Sequence, residues 1–145
     1  MIKDNEPYLI EYNVRMGDPE CQVILPRLKT DLVKLCINTV NNKLSETTIN
    51  WRKEKSMTIV LCSKGYPGKY KKNVEIKKIG KIQTNKNIFI FYAGAKIEGK
   101  KIISNGGRVL NITSIGNSFY KIRNRIILVL KKINWKGGFF RRDIG

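Results

Sequence analysis

From Ser56 onward the chain is cut into short apolar runs by glycine, proline and polar turns, and that punctuation argues for a sheet. Residues 57–62 form an apolar run with β-branched members, and Ile88, Phe89, Ile90 and Phe91 stand in a row. Runs this short, rich in β-branched and aromatic residues and bounded by turn formers, suit strands. Residues 95–97 and 101–103 flank Glu98-Gly99, which reads as a hairpin. Residues 107–113 follow a glycine pair as a further strand. A single long helical pattern interrupts the series. Ser118 is placed to cap it, and Ile122, Ile126, Val129 and Ile133 make an apolar stripe along residues 119–133. The fold class expected is α+β, a small and mostly antiparallel sheet with helices.

The first third reads differently. Residues 8–15 predict a strand and residues 16–19 a turn. Pro26 interrupts an irregular or helical piece over 21–28, because proline is poorly accommodated inside a helix. Thr30 is a fitting N-cap, with Asp31 favourable in the first turn of a helix running to Asn41 or Asn42. The polar segment 41–51 is the best boundary, dividing the chain into units 1–45 and 46–145.

The densest chemistry lies in Glu11-Tyr12-Asn13-Val14-Arg15-Met16-Gly17-Asp18-Pro19-Glu20. On a strand, alternate side chains share a face, so Glu11, Asn13 and Arg15 would project together. A carboxylate and an amide oxygen suit a hard cation such as Mg²⁺, and an arginine beside them suits the charge that spreads during phosphoryl transfer. Three of the chain's 11 acidic residues fall within these ten positions. The plain alternative is a hydrogen-bonded edge strand entering a turn. Asn105-Gly106-Gly107-Arg108 has two readings as well: an anion-binding turn, or a tight strand entry with Arg108 in solvent. Gly65-Tyr66-Pro67-Gly68 reads as a structural turn. Trp51 and Trp135 read as packing residues, and Cys21, Cys36 and Cys62 as small core residues.

Composition narrows the function. With no histidine, three widely spaced cysteines and no C-x-x-C pair, a zinc site is not expected, and the thiols fit a reducing cytoplasm. The longest apolar run, 126–130, is far too short to span a bilayer. The net charge of +18 admits two readings. One is nucleic-acid binding. The other is an AT-rich coding bias, since lysine supplies 21 of the 29 basic residues and isoleucine and asparagine are also abundant. The basic pairs are dispersed along the chain, which favours a solvated surface and no specific nucleic acid.

The string Glu11-Tyr12-Asn13-Val14-Arg15-Met16-Gly17-Asp18-Pro19-Glu20-Cys21-Gln22 closely resembles the end of the ATP-binding domain in the glycinamide ribonucleotide synthetase (phosphoribosylamine–glycine ligase) family of ATP-grasp enzymes. Further blocks resemble that family in its own order. These are Thr30-Asp31-Leu32-Val33-Lys34-Leu35-Cys36, Gly65-Tyr66-Pro67-Gly68, Tyr92-Ala93-Gly94-Ala95-Lys96, Ser104-Asn105-Gly106-Gly107-Arg108-Val109-Leu110 and Phe140-Arg141-Arg142-Asp143-Ile144-Gly145. Tyr92 and Ala95 depart from the histidine and the threonine or serine usual there, which puts any polar role of that strand in doubt.

The resemblance implies a ligase of purine biosynthesis that joins glycine to 5-phosphoribosylamine through a glycyl phosphate. Residues 1–45 would be the last strand and helix of the ATP-grasp domain, and 46–145 the carboxy-terminal domain. Glu11 and Asn13 would hold Mg²⁺ or Mn²⁺ against ATP, and Arg15 would steady the transferring phosphoryl group. Asp18 and Glu20 would orient substrate amines or the edge of the active site, and Arg108 would contact substrate or phosphate. The family's nucleotide-clamping lysine and phosphate-covering loop should lie upstream, so the chain is expected to be the carboxy-terminal piece of such an enzyme and inactive alone, whether as a fragment, a truncated reading frame or one half of a split gene, the last with a separate upstream ATP-grasp polypeptide as its partner. The rivals are another ATP-grasp ligase or carboxylase, a basic nucleic-acid-binding module and a non-catalytic remnant.

Overall fold

The strands expected in the second half form, and they pair around one central member. The structure, a computed structural model, describes residues 1–82 and 84–144. It opens with a small hairpin of β1 (Ile2–Lys3) and β2 (Glu6–Pro7), then α1 (Glu20–Ile24), a 3₁₀ turn at Leu25–Arg27 and α2 (Leu32–Val40). A 3₁₀ turn at Leu44–Glu46 leads to β3 (Lys55–Ser63). A basic loop, β4 (Ile88–Tyr92), the hairpin of β5 (Ala95–Glu98) and β6 (Lys101–Ser104), and β7 (Arg108–Gly116) follow. The last elements are α3 (Phe119–Lys132) and the short β8 (Gly138–Phe139). Among the described residues, no helix is long and apolar enough to cross a membrane.

The main sheet has the order β4-β7-β3-β8, with antiparallel neighbours throughout. Ile112 of β7 sits between Ile59 of β3 and Ile90 of β4. Val109 through Ile115 are all buried, so β7 is covered on both faces. Arg125 of α3 donates to the Ser114 hydroxyl at 2.9 Å and to the Ile115 carbonyl at 3.0 Å. Side-chain alternation therefore turns Leu110, Ile112 and Ser114 toward α3. The helix meets them with Ile122, Ile126, Val129 and Leu130, all buried. Each such side chain contributes about 1.5–3 kcal/mol when fully removed from water. α1 packs on the other face, against β3 and β7, where Asn111 and Thr113 point. Buried Thr113 donates to the Thr58 hydroxyl at 2.9 Å.

The β3–β7 ladder has one irregularity. Leu61 pairs with Leu110 but Cys62 pairs with Arg108, so Val109 has no opposite number. An extra residue of this kind re-aims the side chains next to it. Regular alternation would put Arg108 on the α3 face with Leu110. The bulge lets it join Asn111 on the opposite face.

Four local expectations change. Residues 8–15 make no ladder among the described residues. Only Tyr8 extends the first hairpin: its amide donates to the Met1 carbonyl at 2.7 Å, and its carbonyl accepts from the Met1 ammonium at 2.9 Å. A strand needs a neighbour to take its backbone groups, and these residues have none here. The cap of α2 is Asp31, whose carboxylate accepts from the Lys34 amide at 3.0 Å. Thr30 instead bonds the Asn50 amide at 2.7 Å, tying the start of α2 to the segment before β3. None of the cysteines is fully buried, and Cys36 is exposed. Trp135 is in the core as expected, but Trp51 is largely exposed. β3 to β7 and α1 to α3 fall within a few residues of their expected bounds, whereas the β1–β2 hairpin and β8 were not expected.

Candidate functional site

Four of the six sequence blocks that carried the resemblance converge at one end of the sheet. The Ser63 amide donates to the Gly107 carbonyl at 2.7 Å, and the Ser63 hydroxyl donates to the Gly106 carbonyl, also at 2.7 Å. The Tyr66 ring covers Gly107 so closely that a Cβ there would lie 2.0 Å from Cδ2. The Gly94 amide donates to the Arg108 carbonyl at 2.9 Å, and the Asn105 amide to the Gly94 carbonyl at 2.7 Å. Thus Gly65-Tyr66-Pro67-Gly68, the Gly94 turn and the Asn105–Arg108 turn form one interlocked platform. Arg108 leaves its edge.

Opposite Arg108 stands the turn before α1. The Gly17 amide donates to Glu20 Oε2 at 2.7 Å, and the Cys21 amide to the Gly17 carbonyl at 3.0 Å. The Arg15 guanidinium also reaches over Gly17. A Cβ at Gly17 would lie 3.0 Å from Glu20 Oε2 and 3.5 Å from Arg15 Nη1, so the glycine leaves room for both. Asp18 projects from this turn toward the platform. Its Oδ2 pairs with Arg108 Nε at 3.1 Å. Its Oδ1 accepts from Gln22 Nε2 at 2.9 Å and from Asn111 Nδ2 at 3.2 Å. The Asp18–Arg108 pair is partly solvated, with side chains 32% and 44% exposed, so the ion pair alone contributes at most about 1 kcal/mol. Its value lies in geometry: one carboxylate joins the first third of the chain to the central strand.

Sequence reasoning named Asp18 and Arg108 separately, and the structure brings them together. It missed Gln22 and Asn111. Gln22 sits one helical turn beyond Asp18. Asn111 carried a signal, being an amide inside the apolar strand Val109–Ile115. It is fully buried, and its Oδ1 has no partner among the described residues. Glu20 holds the Gly17 turn.

Glu11, Asn13 and Arg15 lie on the exposed segment before the turn. Glu11 and Asn13 make no side-chain hydrogen bond or ion pair among the described residues, so their oxygens are available. A carboxylate and an amide oxygen fit Mg²⁺ or Mn²⁺, which would complete its coordination with water and phosphate oxygens. No group of three or more histidine, cysteine, aspartate or glutamate residues is placed to hold a metal ion among the described residues.

Cys62 lies near the Asp18–Arg108 pair. Burial pushes its thiol pKa up, Arg108 pulls it down in part, and Asp18 adds to the rise. Cys62 should therefore alkylate with a pH midpoint more alkaline than that of a free cysteine thiol, and Arg108→Leu should move it higher still. Rates of iodoacetamide labelling followed by peptide mass spectrometry across pH, with N-acetylcysteine as the reference thiol, would check this. A Cys62 profile coincident with that of the reference thiol would contradict it.

The carboxy-terminal tail returns across α3. Arg123 donates through Nη2 to the Arg142 carbonyl at 2.6 Å and through Nε to the Ile144 carbonyl at 3.1 Å. A hydrogen bond from Arg141 holds the Asp143 carboxyl below the usual carboxylate range.

A model of the phosphoribosylglycinamide synthetase C domain matches residues 56–145, which comprise β3 to the end of the chain. The chain belongs to the phosphoribosylglycinamide synthetase family. The likeness extends beyond the matched domain. A phosphoribosylamine–glycine ligase of Mesorhizobium japonicum is 44% identical over 145 residues, covering 100% of this chain and 34% of that protein. The chloroplastic phosphoribosylamine–glycine ligase of Arabidopsis thaliana is 40% identical, over 99% of this chain and 27% of that protein. The crystal structure of the Thermotoga maritima phosphoribosylamine–glycine ligase superposes with a TM-score of 0.74 at 30% identity, covering 100% of this chain and 35% of that one. This synthetase-family chain thus spans about a third of the length of the curated relatives it matches. The α+β class agrees with the fold of that neighbour.

Proposed function

We propose that this chain supplies the carboxy-terminal part of an ATP-dependent ligase that joins glycine to 5-phosphoribosylamine in purine biosynthesis, acting in the cytoplasm. The observation that carries this reading is alignment along the full 145 residues, the Glu11–Glu20 stretch included, with relatives named phosphoribosylamine–glycine ligase. In this reading residues 1–45 complete an ATP-grasp domain and 46–145 form the carboxy-terminal domain. Glu11 and Asn13 hold the metal. When bound, Mg²⁺ or Mn²⁺ would neutralise phosphate charge. Arg15 offers its planar fork to the phosphoryl group as it moves from ATP to the glycine carboxylate. The amine of phosphoribosylamine then attacks the acyl carbon, and phosphate leaves. Asp18 works through Arg108, fixing the guanidinium by its Nε and leaving the terminal nitrogens to meet an anionic substrate. Glu20 and Gly17 set the direction of the turn.

The exposed apolar residues support a larger assembly. Leu9, Ile10, Tyr12 and Val14 are 69%, 66%, 81% and 94% exposed, and Val33 and Val40 of α2 are 67% and 83% exposed. Together with backbone at 9–15 that is unpaired among the described residues, they fit a segment that pairs with the rest of an ATP-grasp sheet.

Phosphoryl transfer depends on positioning both substrates. The 145-residue chain by itself should therefore show no ADP release that depends on glycine and phosphoribosylamine. Fusion to the first two thirds of the Mesorhizobium japonicum ligase should restore it. Turnover by the chain alone would sink the requirement for a partner. A folded but inactive fusion would sink the ligase reading.

A further inference from the structure

The lysines that are dispersed in the sequence are not all dispersed in space. Lys64, Lys69 and Lys71 from the loop after β3 meet Lys136 from the segment after α3 around one open cleft of about 520 Å³. The two segments are joined by backbone: the Lys64 amide donates to the Gly137 carbonyl at 2.8 Å. Val74 packs against Gly137, where an added Cβ would lie 3.0 Å from the valine Cγ1. Tyr70 and Val74 supply the apolar wall. The Tyr70 ring stands edge-on to Tyr66, with centroids 6.1 Å apart, and Tyr66 in turn rests on Gly107. The cleft wall is thus continuous with the platform, yet the cleft shares no residue with the Asp18–Arg108 group.

Among the described residues, no carboxylate lines this cleft. Glu75, the nearest acidic residue in the sequence, pairs with Lys77 at 3.8 Å instead. Four lysines lining one concavity raise its positive potential and draw in a multivalent anion. Lysine is a point-charge donor suited to phosphate oxygens. The volume is that of a small-molecule site. A nucleic-acid strand would use a longer track with successive stacking rings, whereas this wall carries a single tyrosine.

We propose that the cleft binds a compact polyphosphate, a ligand with at least three negative charges on one phosphate chain. The inference does not rest on the ligase reading. Two sources share this chemistry: free inorganic polyphosphate and the triphosphate of a nucleotide. Tyr70 would favour the second by contact with a base.

Calorimetric titration of the full chain with sodium tripolyphosphate, and separately with ATP, at near-physiological salt tests this. The pair Lys69→Gln and Lys136→Gln should weaken tripolyphosphate binding by about tenfold or more, as expected from removing two of four converging charges. The pair Lys86→Gln and Lys100→Gln, which removes the same charge elsewhere, should leave it unchanged. Circular dichroism would verify that both variants are folded. ATP binding tighter than tripolyphosphate, with the excess lost in Tyr70→Leu, would identify a nucleotide. Equal affinities would identify the phosphate chain itself. Equal weakening by both lysine pairs would overturn the proposal, since the attraction would then belong to the whole surface. Tighter binding of a single-stranded oligonucleotide that displaces tripolyphosphate would overturn it as well.

Discussion

Gly94→Ala is expected to destabilise the fold severely. The added Cβ would lie 2.6 Å from the Arg108 carbonyl oxygen, 2.6 Å from Gly106 Cα and 2.9 Å from Gly106 N. All three are backbone atoms held in ladders and turns, so none can swing aside as a side chain could. The Gly94 amide and carbonyl are themselves bonded to Arg108 and Asn105. Relief would require breaking those bonds and parting β4 from the start of β7. A cost of about 3 kcal/mol or more follows from overpacking with no route to relax. That is a large share of the roughly 5–15 kcal/mol by which domains are stable. Urea denaturation followed by far-ultraviolet circular dichroism would measure it. Gly80→Ala is the control, because nothing lies within 4 Å of its added Cβ. Similar midpoints for the two variants would show that the Gly94 contact is far softer than its geometry implies.

Arg15→Lys, made in the fusion with the upstream part of a related ligase, should slow turnover by on the order of a hundredfold, the effect of losing one well-placed donor to a developing anion. The expected loss is in kcat, with little change in the KM for ATP, because a point charge can still attract phosphate but cannot present two parallel N–H groups. Glu11→Gln should act differently. It removes a charged oxygen ligand while keeping the size of the side chain, so the Mg²⁺ concentration needed for half-maximal activity should rise. Lys100→Ala, at the turn between β5 and β6 and outside the lysine cleft, serves as the control for metal dependence. A Glu11→Gln fusion with the same Mg²⁺ response as Lys100→Ala would remove the metal assignment. An Arg15→Lys fusion with unchanged kcat would remove the phosphoryl role.

Much of the fold could be read along the chain because its signals are local. The apolar stripe Ile122, Ile126 and Val129 repeats at helical spacing and becomes the buried face of α3. Glu98-Gly99 sits at the turn of the β5–β6 hairpin, where Gly99 has a φ of +59°. Pro26 lies in the 3₁₀ turn that ends α1. Residues 8–15 show the limit of such reading. Their apolar alternation suits a strand, but a strand is defined by the neighbour that accepts its hydrogen bonds, and the described residues offer none.

Sequence alone determined the order of α1 to α3 and β3 to β7, the turn around Gly17, and Asp18, Glu20 and Arg108 as residues of interest. Tertiary structure decided their partners. Asp18 and Arg108 are 90 positions apart, and no local pattern links them. Asn111 stood out only as a polar residue in an apolar strand, and it proved to be one of three donors to Asp18. The four lysines around the cleft come from two loops that a backbone hydrogen bond joins. The bulge at Val109 is the clearest case. Strict alternation, all that sequence can supply, assigns Arg108 to the face of α3. One unmatched residue in the β3–β7 ladder turns it to the opposite face, because the side a strand residue faces is set by register with its neighbour as well as by its place in the chain.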